Sequence, residues 1–237
     1  MPSSRSRLRG PARVLAALLA CGGIASAHAA STPARLTDGE HSIERLLHIP
    51  VDVPPGRYTV QCEAFVDKPG RARYFTCYSR EGVPLGLESA VTKAVGRASF
   101  IPATRDEVPV AVSMLIMVRI DVTAEGPLVL VVPNNGIEAS RYGLFYTAPQ
   151  RFKGFNVGHH WRLVDGLEPA WVLLKLSIDE HGKIVAHEVI NDSGAPSWLV
   201  DKVEEGIEHM EFLPGLFNGK PVPMEYVKPI YITRAGG

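Results

Sequence analysis

Histidines and cysteines are the residues best suited to chemistry in this chain, and their spacing decides what chemistry is open to them. The pair His159-His160, followed by Trp161, invites a metal ion. A zinc site needs three or four ligands at short, set spacings. His181, His187 and His209 stand further on, but no His-x-x-x-His or Glu-x-x-His occurs. These histidines therefore read as ordinary surface or core residues, and no metal or other cofactor is expected. Gly154-Phe155-Asn156-Val157-Gly158 lacks the Gly-Lys-Ser/Thr ending of a phosphate loop, and Gly-x-Ser-x-Gly is absent. Ser42 and Asp38 read as caps of a short helix, Ile43 to His48, rather than as a catalytic pair. The carboxylates are spread along the chain without a pair placed for acid–base work. No catalytic constellation emerges, so the expectation is a protein that is not an enzyme.

Cysteine usage points to export. Arg5, Arg7, Arg9 and Arg13 precede an apolar run, Val14 to Ala25, and Ala27-His28-Ala29 fits a small-x-small cleavage site. Residues 1–29 read as a secretory signal peptide, which places the product in the periplasm. A competing reading takes Leu18-Leu19-Ala20-Cys21 as a lipobox, with a lipid anchor at Cys21. No later stretch is long and apolar enough to span a membrane. Loss of four arginines from 25 basic residues leaves 21 against 25 acidic ones, a charge of −4. A mildly acidic chain without a basic stripe is a poor fit to nucleic acid. Cys62 and Cys77 remain after cleavage, and in an oxidising compartment a disulfide is the expected state.

The elements that position these residues come in two copies. Shifting the sequence by 112 residues aligns Val60 with Val172, Asp67 with Asp179, Gly70 with Gly182 and Gly82 with Gly194. Pro84 then falls on Pro196, Leu87 on Leu199, Val91 on Val203, Phe100-x-Pro102 on Phe212-x-Pro214, and Pro109-Val110 on Pro221-Val222. Matched Gly and Pro carry most weight, because they mark special backbone dihedrals. In the second copy Trp171 to Ile178 and Ile184 to Ile190 flank the turn Asp179-Glu180-His181-Gly182-Lys183 and read as a β-hairpin. A helix follows, roughly Pro196 to Met210, with Trp198, Leu199, Val203, Ile207 and Met210 at helical spacing. A last strand runs from Met224 to Thr233. In the first copy Leu85, Leu87, Val91 and Val95 supply the helix stripe. Phe100 and Phe212 read as core anchors. The first hairpin, centred between Pro69 and Gly70, sets Cys62 opposite Cys77, within reach of a structural disulfide.

Between the copies no repeat is legible. Val118 to Val122 and Leu128 to Val132 read as a hairpin in which the Leu128 strand covers the first copy's closing strand. Pro133-Asn134-Asn135-Gly136 is a turn, and Tyr142 to Thr147 reads as another strand. Nothing comparable covers the terminal strand.

The ordered set Ile178-Asp179, Gly182-Lys183, Ser193-Gly194, Phe212-x-Pro214, Gly219-Lys220-Pro221-Val222 and Pro229-Ile230 resembles the C-terminal domain of the TonB family. The match covers about a quarter of the chain. The resemblance implies an α+β fold, here two tandem small antiparallel sheets each packed by helices, with a β-hairpin connector. Residues 30–125 would form the first repeat, 126–165 the connector and 166–237 the second. It also implies a non-catalytic domain that binds a protein or extended peptide, in true transducers an outer-membrane receptor, by adding a strand to its closing edge. Carried over, the partner-binding residues are Tyr226, Val227, Lys228, Ile230, Tyr231 and Ile232. Two departures bear on the transfer: the chain lacks a Pro/Lys-rich spacer, and Pro223 and Pro229 interrupt the edge. The alternative is an architectural or dimerising protein of the cell envelope, with edges buried by self-association.

Overall fold

The structure, a computed structural model, describes residues 31–79, 81–153, 161–162, 170–191 and 194–233. The chain opens with β1 (Ser31–Thr32), β2 (Arg35–Leu36) and the short α1 (Ile43–Leu46). The first hairpin is β3 (Gly56–Val66) and β4 (Ala72–Ser79), followed by α2 (Leu85–Arg97). Then come β5 (Phe100–Ile101), β6 (Ala103–Arg105), β7 (Val108–Val110), β8 (Val112–Thr123) and β9 (Gly126–Val132). The middle holds α3 (Ala139–Tyr142), β10 (Tyr146–Thr147), β11 (Gln150–Lys153) and β12 (Trp161–Arg162). The second half runs through β13 (Ala170–Ile178), β14 (Ile184–Ile190), α4 (Ser197–Ile207), β15 (Glu211–Leu213), β16 (Gly215–Phe217), β17 (Lys220–Val222) and β18 (Met224–Thr233).

The molecule is α+β, with sheets that are mostly antiparallel and four described helices. The repeat is visible element by element. α2 and α4 start 112 residues apart, as do β6 and β16, β7 and β17, and β8 and β18. Pro84 and Pro196 precede the two helices with nearly the same dihedrals, φ −57° and −58°. Each hairpin turn is closed the same way. The Asp67 carboxylate accepts from Arg71 N at 2.7 Å, and the Asp179 carboxylate from Lys183 N at 2.8 Å. Gly70 and Gly182 sit at φ +83° and +81°, and a Cβ on either would lie 2.1 Å from the carbonyl oxygen of Phe100 or Phe212. Only glycine satisfies both demands.

The repeat also reaches further back than the sequence indicated. β1 pairs with β6 and β2 with β5, just as β10 pairs with β16 and β11 with β15, now at an offset of 115. Two short strands carry too few side chains to register as a repeat once three residues shift their phase.

Each helix buries one stripe on its sheet. Leu87, Val91 and Val95 fill one core with Val60, Ala64, Ile116 and Ile120. Leu199, Val203 and Ile207 fill the other with Val172, Leu174, Leu176 and Tyr226. Phe100 and Phe212 are both buried. Leu85 and Trp198, placed in the stripes by periodicity, lie on the open side at the first helical turn. α4 stops at Ile207, because Met210 already leads into β15.

The sheets are not as separate as the sequence implied. β15 belongs to the second half, yet it joins the larger sheet in the order β15-β11-β8-β3-β4, with β9 also on β8. The second sheet has the order β12-β18-β13-β14, with β12 running parallel to β18. β9 covers β8 from Met117 to Thr123, as the connector reading expected. The expected strand at Tyr142 is instead the end of a helical turn that Gly143, at φ +70°, terminates; only Tyr146–Thr147 is strand. Ser42 caps α1, its Oγ accepting from Arg45 N at 3.3 Å, and α1 ends at Leu46 rather than His48. Cys62 stands opposite Cys77 with Cα atoms 4.0 Å apart and sulfurs at bonding distance. Leu174 and Val189 occupy the same places in the second hairpin. No described helix is long and apolar enough to cross a membrane.

Candidate partner-binding site

Three of the β18 residues assigned by resemblance are buried. Alternate side chains on a strand face opposite ways, and Tyr226, Lys228 and Ile230 all point inward, with relative exposures of 1%, 7% and 3%. Tyr226 stacks edge-on to Phe212 in the second core. Its hydroxyl lies beside the Arg151 side chain. Burial raises its pKa above the ordinary range, with the Glu63 carboxylate adding to the effect. Lys228 reaches the Glu63 carboxylate of the first half at 2.8 Å. Burial lowers the Lys228 pKa, and Glu63 opposes that shift. Val227 is half-buried on the other face. Tyr231 and Ile232 continue the strand opposite Trp171 and Ala170.

The outer backbone edge of β18 is occupied at both ends. Glu225 N donates to Glu138 Oε1 at 2.7 Å, and Asn135 Nδ2 donates to Val227 O at 3.4 Å. At the far end β12 pairs with Ile232 and Thr233. Between these, Pro229 offers no N–H. The expectation of a wholly uncovered terminal edge is thus corrected: both of its ends have partners. The Asn134-Asn135-Gly136 turn is what closes it: Asn134 Nδ2 holds the carbonyls of Leu144 and Tyr146 at 2.9 and 2.8 Å, and Asn135 O accepts from Gln61 at 2.9 Å. Both asparagines are buried.

The second hairpin's outer strand, β14, is different. Its neighbour in the sheet is β13, and no described strand pairs with its other side. Val185 to Glu188 are exposed, Val185 at 65%. The strand contains no proline and no lysine between Ile184 and Ile190. Its counterpart β4 is protected. Tyr74 takes a left-handed φ of 45°, which breaks the strand's regularity, and Arg73 pairs with Asp67. Such devices blunt an edge against further pairing.

A groove of about 1210 Å³ adjoins the start of β14. The Glu180–Ile184 turn, His187, the end of α4 and β15 line it, with Ser31, Arg105 and Phe152 from other elements. Ile207, Met210, Phe212 and Pro214 make part of that lining apolar; Glu208, Glu211 and Lys183 make the rest polar. Glu211 accepts from Lys153 at 2.5 Å and lies 3.5 Å from Arg105, and the Lys153 bond leads in holding its carboxyl below the ordinary pKa. The 112-residue offset sets His187 on Phe75 and Glu208 on Gly96. In the first half the Phe75 ring lies over Gly96, its Cζ 2.5 Å from where a Cβ would stand. The same place is therefore filled by an aromatic ring in one copy and lined by His187 and Glu208 in the other.

His181 and His187 are both at this groove, whereas His159-His160 lie outside the described residues. Among the described residues no group of three His, Cys, Asp or Glu is placed to hold a metal ion. Comparison with family models, curated proteins and solved structures finds no match.

Proposed function

We propose that this protein is an exported, non-catalytic binding module that takes an extended segment of a protein partner by strand addition at β14. The observation that carries the reading is the β14 edge, unpaired among the described residues, beside a groove that the first copy fills with Phe75. Strand addition draws affinity from backbone hydrogen bonds and specificity from side-chain pockets. β14 offers the first through its outward N–H and C=O groups, and the groove offers the second. Addition at β18, the edge the resemblance indicated, would have to displace Glu138, Asn135 and β12. Receptor-linked transport through β18 is thereby disfavoured. Export rests on the Ala27-His28-Ala29 cleavage pattern and on the pairing of Cys62 with Cys77.

The test is in-cell photo-crosslinking from Glu188, whose side chain is exposed on β14, with a proline variant at Val189, whose backbone groups face outward by strand alternation. Capture of a defined protein is expected, and it should vanish in Val189→Pro while the thermal transition stays within a few degrees. Capture that survives the proline would remove the strand-addition reading.

A further inference from the structure

The two copies differ sharply in charge. Residues 171–213, which form the second hairpin, α4 and β15, hold nine acidic and three basic residues, so 3 − 9 = −6. The counterpart stretch 59–101 holds four acidic and six basic residues, so 6 − 4 = +2. Both stretches build the same hairpin and helix, so the fold itself does not require the acidity. Asp201, Glu204 and Glu208 stand where the first copy has Ser89, Thr92 and Gly96.

These carboxylates are also placed against the helix that carries them. A helix C-terminus bears partial negative charge and favours cations. α2 follows that rule, with Arg97 in its last turn. α4 has no basic residue there: Glu204 and Glu205 lead into the C-cap, Glu208, and His209 takes the place of Arg97. Glu204 and Glu208 are four residues apart, so they share a face and repel each other. Lys202 is engaged with Glu205. Among the described residues no salt bridge engages Asp201, Glu204 or Glu208, and all three are exposed.

Glu208 lines the groove beside His187. Arg105 and Lys153 are both held by Glu211. Among the described residues Lys183 is then the cation left at the groove against Glu180 and Glu208, with His181 3.7 Å from Glu180. Side chains of an added strand that lie beside His187 face this groove, because alternate residues share a face. We propose that the segment β14 accepts is cationic: an extended stretch of a partner protein whose groove-facing side chains include lysine or arginine, seated against the carboxylates that end α4. This rests on the reading that β14 is the strand-adding edge, and it names the partner's chemistry. The first copy gives α2 its terminal cation from within the chain, as Arg97; the second takes the equivalent cation from the partner. Glu188 lies on the other face of the sheet, opposite Lys175, and has no part in this contact.

The experiment measures binding of two labelled peptides to the full chain by fluorescence anisotropy. One alternates valine and lysine, so that a single face of the strand carries its cations; the other has glutamine in place of lysine. Two cation–carboxylate contacts should favour the lysine peptide by about tenfold, an advantage that shrinks as salt is raised. Glu204→Gln with Glu208→Gln should abolish the advantage and leave the glutamine peptide unchanged. Glu44→Gln, a charge loss at an exposed position on α1 of the first half, should alter neither. Val189→Pro should abolish binding of both. Equal binding of the two peptides, or binding of neither, overturns the proposal, as does an advantage that the double glutamine variant retains. Proline-sensitive capture from Glu188 of a segment without lysine or arginine also overturns it and leaves strand addition standing. A lysine preference that survives Val189→Pro is adsorption to the acidic surface and removes both readings.

Discussion

Lys228 and Glu63 are 165 residues apart in sequence, and they meet in the buried seam between the two halves with Nζ 2.9 Å from Oε1. The repeat places Ile116 at the position of Lys228, and Ile116 is fully buried in the first core. A lysine thus stands where the fold's own pattern asks for an isoleucine. Removing one member of a buried pair strands a charge, and replacing both with well-packed apolar groups often costs nothing. Glu63→Ala should therefore cost about 3–5 kcal/mol in urea denaturation. Glu63→Leu combined with Lys228→Ile should return close to the parent. A double variant as unstable as the single would mean that packing, not charge pairing, sets the cost.

The same lysine gives a pH dependence with a definite sign. Its folded pKa lies below 10.5 because of burial. Between that lowered value and 10.5 the unfolded chain binds more protons than the native one, so this residue's contribution to stability rises with pH. Loss of Glu63 removes the group that opposes the shift. The rise should then be steeper and begin at lower pH in Glu63→Ala than in the parent, as read by denaturation midpoints across the alkaline range.

Two glycines of similar dihedral separate backbone strain from collision. Gly182 (φ +81°) and Gly219 (φ +73°) both take left-handed values, but a Cβ at Gly182 would lie 2.1 Å from Phe212 O whereas one at Gly219 meets nothing within 4 Å. Gly219→Ala should cost about 1–2 kcal/mol, the penalty of the dihedral alone. Gly182→Ala should cost clearly more and lower the transition temperature further. Equal losses would show that the turn shifts away from Phe212 without penalty.

How much of this was legible in the sequence follows from how each signal is encoded. Gly70 and Gly182, Pro84 and Pro196, and Phe100 and Phe212 report backbone conformation and core position directly, so repeat, hairpins and helices could be read from them. The pairing of Cys62 with Cys77 was read from a turn centred between Pro69 and Gly70; next to the turn Val66 pairs with Ala72, and a one-residue shift between Glu63 and Phe65 restores the expected register at the cysteines. The β18 cover was not legible, because Glu138 and Asn135 act through single side-chain hydrogen bonds from a loop whose path no periodicity encodes. β14 was legible in part: its freedom from proline and lysine is written in the chain. That it lies at the sheet's rim depends on pairing order, which residue types alone do not fix.

The first hairpin's disulfide and the second hairpin's Leu174–Val189 pair are two solutions for one position. Cross-linking residues with a separation of 15 restrains the unfolded chain by about 3 kcal/mol in the loop-entropy account. Cys62→Ser with Cys77→Ser should lose roughly that amount. Cys62→Leu with Cys77→Val, copying the second hairpin, should lose less, since Cys62 is buried and its site favours an apolar group. Thermal unfolding of the two double variants under identical conditions checks the order; a reversed order would mean the site does not accept the larger side chains.

The cap on β18 is testable at a single amide. Glu225 N–H donates to the Glu138 carboxylate, and Glu138 is itself buried beside α3. A hydrogen bond to a charged acceptor contributes about 1.5–3 kcal/mol. Glu138→Ala should therefore speed hydrogen exchange at Glu225 by about tenfold or more, since 1.4 kcal/mol is a factor of ten. Glu138→Gln keeps an acceptor oxygen and should fall between. Neighbouring amides that hydrogen-bond to β13, such as Tyr226, should change little, because their partners are untouched. Uniform acceleration along β18 would show that Glu138 supports the strand as a whole; a selective change at Glu225 would establish it as a cap on the β18 edge.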